Sequence, residues 1–237
     1  YSLLDKLRSN FPNIEFESCS SGGGRIDYGV LSKTHRVWLS DSNDALVRFK
    51  MQNNASVWLP SEVVGSHVGP RKCHTSGRIL SMTLRAWVAA SRHMGFEMDP
   101  RELTDDEVLI LKDITQWYKE NRCWMHNASL HRLDLNDENQ LGEIQVSNNN
   151  RKFVSFIVQM EQSAYSSPKL TPLCGLEPDA IYKISLKTPE NAALVSRGDL
   201  KLKNNNLKLS GQFLMSHGIN LPCAFPGSIW VIQGNKV

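Results

Sequence analysis

The sequence predicts a two-part fold: a partial (β/α)8, or TIM, barrel followed by an antiparallel β-sandwich. Three observations carry that expectation. Helix-like and strand-like segments alternate through the first half, to about Asn121, which is the grammar of a parallel α/β structure. The loops after those strands are the polar ones, rich in Gly, Ser, Asp and His, as at the functional end of a barrel. From His131 onward helical periodicity disappears, and short apolar runs are parted by Asn, Pro and Gly clusters, the pattern of stacked antiparallel strands.

The elements follow in order. Leu3, Leu4 and Leu7 lie at helical spacing, and Pro12 stops that helix. Ile14 to Ser18 reads as a buried strand running into Cys19-Ser20-Ser21-Gly22-Gly23-Gly24, a loop by composition. Val37 to Ser40 is a second strand, ending in the helix-capping run Asp41-Ser42-Asn43-Asp44 before the amphipathic stretch Ala45 to Gln52. A third strand is expected at Ser56 to Leu59, broken by Pro60, and an apolar helix at Leu80 to Met94. Gly95 to Met98 is the fourth strand. Thr104-Asp105-Asp106-Glu107 is a capping box that opens a long helix through Tyr118. Four such units fill about half of a barrel, since a whole one takes about 250 residues. In the second half, strands are expected at Leu141 to Val146, Phe153 to Gln159, Ala180 to Leu186 and Ser228 to Gln233. Turns are expected at Asn148-Asn149-Asn150 and Asn204-Asn205-Asn206. The division is placed at residues 1–126 and 127–237.

Composition excludes several classes. The 237 residues carry a net charge of +3 with no dense basic run, which argues against a nucleic-acid partner. No apolar run reaches the roughly 18–20 residues of a membrane span, so no membrane is expected. Five scattered cysteines fit a reducing, cytoplasmic setting better than a disulfide framework. His67, Cys73 and His74 match no zinc spacing, and Asp41 to Asp44 does not continue as a calcium loop. No metal or cofactor is expected.

Two loops are chemically suggestive, Cys19 to Asp27 and Asp41 to Asp44, each directly after a strand. Adjacent parallel strands would open both on one face. Three successive glycines let backbone N–H groups approach a ligand unobstructed, and a carboxylate beside them suits a general acid or base. Taken alone, the glycines also suit a plain turn and Asp41 a plain cap. The glycines lack the Gly-Lys-Ser/Thr ending of a phosphate loop.

Glu15-Phe16-Glu17-Ser18-Cys19-Ser20-Ser21-Gly22-Gly23-Gly24-Arg25-Ile26-Asp27 resembles the E-x-C-x-S-G-G-G-R-x-D signature of family-36 glycoside hydrolases, the bacterial and fungal α-galactosidases. Trp38-Leu39-Ser40-Asp41-Ser42-Asn43-Asp44-Ala45 is similar to that family's W-x-S-D-x-x-D-A segment, and the 22 positions from Cys19 to Asp41 match its spacing. Val63 to Pro70 and Gly95 to Asp99 resemble later barrel segments. The likeness is specific to about residue 126 and weaker through the β-rich half.

The resemblance implies a retaining α-galactosidase working on melibiose- or raffinose-type sugars with two carboxylates. It makes Asp41 the acid/base, its pKa raised by partial burial and a nearby carboxylate. It places Cys19 and Gly22 against the galactose hydroxyls. Trp38, at the strand end, is expected to border the sugar. Asp44, Arg25 and Asp27 are read as supports that hold the loops. The family's nucleophile belongs to a Lys-x-Asp-x-Asn-Arg motif, which these residues lack. The chain is therefore expected to be the C-terminal portion of such an enzyme, inactive alone, with the N-terminal half as its missing partner. A homotetramer is implied by resemblance only. The competing functions are a related galactosyltransferase or α-N-acetylgalactosaminidase, and a galactoside-binding fragment that cleaves nothing.

Overall fold

A computed structural model of the chain describes residues 1–188, 202, 204, 207–222 and 224–237. The first half is a four-stranded parallel sheet in the order β1-β2-β3-β4. Its strands are β1 (Glu17–Ser18), β2 (Arg36–Trp38), β3 (Val64–Val68) and β4 (His93–Phe96). Helices α1 (Ser2–Asn10), α2 (Tyr28–Leu31), α3 (Ala45–Ala55), α4 (Met82–Ala90) and α5 (Asp105–Met125) alternate with them. The parallel order agrees with the alternation in the sequence. The strands form an open sheet and close no barrel among the described residues.

The expected strand at Ser56 to Leu59 is a correction. Those residues prolong the helical turn of α3, with the Ser56 N–H donating to the Gln52 carbonyl (3.1 Å) and the Leu59 N–H to that of Ala55 (2.9 Å). The third strand is β3, reached through a single 3-10 turn at Ser61–Val63. Its Gly65 and Ser66 hid it from an apolar-run reading. The fourth strand starts two residues earlier than expected, because His93 pairs with Gly65. Accordingly α4 is shorter than Leu80 to Met94, capped by Ser81, whose hydroxyl accepts from the Leu84 N–H (3.2 Å). The Thr104–Glu107 capping box is present, and α5 runs on to Met125.

All nine residues of α4 are buried, the mark of a helix covered on every side. What covers it is the second half. A six-stranded antiparallel sheet, in the order β10-β9-β12-β7-β6-β5, lies across α4 and α5. It comprises β5 (Ser129–Arg132), β6 (Gln140–Val146), β7 (Lys152–Gln159), β9 (Ile181–Leu186), β10 (Leu207–Ser210) and β12 (Ser228–Lys236). Alternation along the strands divides the cores. Val154, Phe156, Val158, Ile229 and Val231 pack with Trp87 and its neighbours on α4, whereas Phe153, Ile157, Trp230 and Ile232 face the other way. The second layer is a ribbon of β8 (Leu170–Thr171) and β11 (Ile219–Asn220) with the short helix α6 (Gly211–Ser216). The four expected strands agree with β6, β7, β9 and β12. At the first expected turn Asn150 has φ +54° and donates its N–H to the Ser147 carbonyl (2.8 Å). Of the second, Asn205 and Asn206 lie outside the described residues.

A buried ion pair joins the halves. Arg92, just before β4, donates from Nη1 and Nη2 to both Glu143 carboxylate oxygens on β6 (2.5 and 2.8 Å). Beside it the Gln145 amide donates to the Ser91 carbonyl (2.9 Å) and the Asn53 amide to that of Gly142 (3.2 Å).

Candidate active site

Because the four strands are parallel, their C-terminal ends share one edge of the sheet. There the loops after β1, β2, β3 and β4 meet, which is where α/β barrels assemble their chemistry. The glycine loop is tightly wound. Ser21 and Gly22 both take positive φ (+48° and +70°), and the Gly24 N–H donates back to the Ser20 carbonyl (3.2 Å). A non-glycine residue at positive φ is uncommon and costs free energy. Gly22 is buried against the next loop: a Cβ there would lie 2.8 Å from Ser40 Cα and 2.9 Å from Asp41 N. A Cβ on Gly23 would strike the Leu39 carbonyl at 2.4 Å. The absent side chains thus let the glycine loop lie directly on the Asp41 loop.

Asp41 is exposed at this edge, and so is Cys19 in the neighbouring loop. The expected partial burial of Asp41 is not found, since the sheet supplies walls on one side only. Its Oδ1 accepts a hydrogen bond from Trp38 Nε1 (3.2 Å).

Trp38 is packed on both faces of its ring. It is 5% exposed, with the His67 ring stacked on it (4.1 Å between centroids) and the Arg48 guanidinium 4.1 Å from its ring centroid. Flanked by those two groups, it reaches the site through its indole N–H and offers no open platform to a sugar. His67 is in turn tied to Glu97 (Nδ1 to Oε2, 3.1 Å). Burial pushes the Glu97 carboxyl up, but the Asn43 amide, the His67 ring and the Arg48 charge outweigh it and hold it below the usual carboxylate range.

Asp44 is fully buried and makes contacts in two directions. Oδ1 caps α3 by accepting from the Leu46 and Val47 N–H groups (3.0 and 3.1 Å). Oδ2 accepts from the Ser76 hydroxyl (2.5 Å) and from Arg78 (3.1 Å), tying down the loop after β3. Asp44→Ala removes the cap and strands those partners, an expected loss of about 2–3 kcal/mol. Asp44→Asn, which keeps the cap, loses about half as much, and urea midpoints of the two variants check the order.

Arg25 and Asp27 each make a contact beside the glycine loop. The Asp27 carboxylate caps α2 by accepting from the Val30 N–H (2.7 Å), while Arg25 contributes its carbonyl to the Ser18 hydroxyl (3.1 Å).

Arg48 and Glu97 lie against the site and were not singled out from the sequence, and His67 was weighed there only against a zinc spacing. Arg48 sits inside a helical run and reads there as an exposed charge, yet it is 1% exposed. Among the described residues no cluster of three or more His, Cys, Asp or Glu could hold a metal ion, and the four described cysteines are free. No described helix is long and apolar enough to cross a membrane.

With this geometry in place, comparison with known proteins is informative. The melibiase family model matches residues 1–128, more than half of the chain. The chain belongs to the melibiases of glycoside hydrolase family 36. The family's C-terminal domain model matches residues 144–229. An α-galactosidase of Escherichia coli is 37% identical over 238 residues, covering 98% of this chain and 34% of that protein. The α-galactosidase Mel36A of Lactobacillus acidophilus is 34% identical, covering 88% of this chain and 30% of its own length. A family-36 α-galactosidase of Geobacillus stearothermophilus, solved in complex with raffinose, superposes with a TM-score of 0.88 at 27% identity. That match covers 100% of this chain and 31% of the other. This melibiase chain thus spans about a third of the length of the relatives it matches.

Proposed function

We propose that this chain is the acid/base-bearing part of a retaining α-galactosidase, with Asp41 as the proton donor and acceptor. The observation that carries the reading is the junction of the glycine loop with Asp41: Gly22 lies against the Asp41 backbone, and the carboxylate stands open beside it. A galactose lying over the Gly22 backbone and the Cys19 thiol would bring its glycosidic oxygen to Asp41. A thiol is a weak hydrogen-bond partner, so Cys19 shapes the pocket and attacks nothing. Asp41 protonates the departing oxygen, then removes a proton from the water that cleaves the galactosyl–enzyme ester. The nucleophilic carboxylate comes from the portion that corresponds to the rest of the relatives' length, which also completes the barrel around the open sheet. Terminal α-galactose on raffinose-type oligosaccharides is the substrate class this reading assigns. The homotetramer and the cytoplasmic setting belong to the same proposal.

The test is made on the complete gene product. Hydrolysis of an aryl α-galactoside should release galactose with its α-configuration retained, read by NMR in the first minutes. Binding of galactosides without turnover would replace this reading with the non-catalytic one.

A further inference from the structure

Arg48 lies at the first turn of α3, four residues after the cap Asp44. A helical side chain leans toward its own N-terminus, and this one runs back under the Asp41 loop. There Nη2 donates to the carbonyls of Ser40 (2.5 Å) and Ser42 (2.7 Å), the residues on either side of Asp41. The same guanidinium lies over Trp38, whose indole N–H donates to Asp41 Oδ1. Asp41 is therefore held from three directions, two through its neighbours' carbonyls and one through the indole.

The arrangement is costly. Nε and Nη1 of Arg48 are buried without a hydrogen-bond partner, and unmet buried donors of a charged group oppose folding. Burial lowers its pKa to about 10, opposed by the charges of Glu97, Asp41 and Glu17, so the group stays a cation at neutral pH. An apolar side chain of similar length would fill the volume without that cost. Planarity and a double donor are what such a replacement would lack.

We propose that Arg48 is a positioning residue for Asp41, fixing the backbone from Ser40 to Ser42 and the Trp38 indole so that the carboxyl faces the glycosidic oxygen. The inference rests on Asp41 being the acid/base and adds the group that aims it.

The experiment compares Arg48→Met, Arg48→Lys, Asp41→Ala and the double variant Arg48→Met/Asp41→Ala in the complete gene product. Each is assayed with melibiose and with a nitrophenyl α-galactoside. Misaiming a proton donor by about 1 Å is expected to lower kcat/KM, which reports the first step, by roughly 10- to 100-fold on melibiose. For the nitrophenyl substrate, whose first step needs little protonation, kcat/KM should fall less than about fivefold. Arg48→Lys, which keeps a charge and one donor at a time, should recover part of the melibiose rate. In the Asp41→Ala background, Arg48→Met should cost less than about threefold on either substrate, because the group it aims is gone.

Equal losses on both substrates would mark Arg48 as a structural residue and overturn the proposal, as would a full multiplicative loss in the double variant. Should Arg48→Met fail to fold by circular dichroism, Arg48→Lys alone and combined with Asp41→Ala decides by the same outcomes. If Asp41→Ala itself shows no dependence on leaving group, the acid/base reading fails and takes this one with it. If it shows that dependence and the Arg48 variants do not, the positioning role alone falls.

Discussion

Replacing Asp41 by alanine in the complete gene product should slow cleavage of melibiose by roughly 10²- to 10⁴-fold, the usual contribution of a positioned acid or base. The loss should depend on the leaving group. An alcohol departing as an alkoxide needs the proton at the transition state, whereas a nitrophenolate leaves without it. First-step rates for the nitrophenyl galactoside should therefore fall little, and the galactosyl–enzyme ester should accumulate because water lacks its base. Azide is already a strong nucleophile and fits the space left by the carboxylate, so it should restore turnover and yield the α-galactosyl azide. Without azide rescue, and with equal losses on good and poor leaving groups, Asp41 would not be the acid/base. The geometry favours the first outcome. Asp41 is exposed at the sheet edge where substrate arrives, yet Gly22, Trp38 and Arg48 fix its backbone and one carboxylate oxygen. A carboxylate acting only as the cap of α3 would be buried against N–H groups, and that task is done three residues later by Asp44.

What the sequence disclosed and what it hid follow from how local each signal is. The parallel α/β class was legible because strand-helix alternation survives in the apolar spacing, and the caps at Asp44 and Thr104 act within four residues. The third strand was hidden because Val64–Val68 is interrupted by Gly65, Ser66 and His67, whose side-chain identities answer to neighbours far along the chain. Gly65 leaves room for Glu17, whose carboxylate would lie 2.7 Å from a Cβ there, and the Ser66 hydroxyl donates to the Gln52 side chain (2.6 Å). The glycine loop and Asp41 could be paired by their motifs and spacing. No local pattern, however, tells that Trp38 would be flanked by Arg48 and His67, since that depends on β3 lying beside β2 and on α3 folding back across its own loop. Asp27 is a related case: nothing local announces the short helix α2, whose unpaired N–H groups its carboxylate caps.

The same dependence on distant neighbours governs the largest expected loss of stability, at Glu143. Glu143→Ala should destabilise the chain by about 3–5 kcal/mol, because it leaves the Arg92 cation buried without its counter-charge. That is a large share of the 5–15 kcal/mol by which a typical domain is stable. Arg92 is 1% exposed and Glu143 0%, so the stranded cation is shielded from bulk solvent. A second substitution separates the pair's worth from the cost of breaking it. Arg92→Met with Glu143→Leu removes both charges and fills the volume, and it should recover most of the lost stability. Urea midpoints of Arg92→Met, Glu143→Leu, their double variant and the unsubstituted chain close the cycle. A double variant as unstable as either single one would mean that the pair is held by geometry that apolar packing does not replace. The consequence should reach the site as well. Arg92 Nη2 lies 3.4 Å from the Gln52 carbonyl, and the Gln52 amide donates to the Ser91 hydroxyl (3.1 Å). Gln52 also belongs to α3, whose first turn carries Asp44 and Arg48 behind Asp41. The antiparallel sheet thus serves as a base for the helix that holds the carboxylate. In the complete gene product Glu143→Ala should therefore lower kcat at temperatures where the protein is still folded, whereas the double variant, with the base rebuilt in hydrocarbon, should retain it.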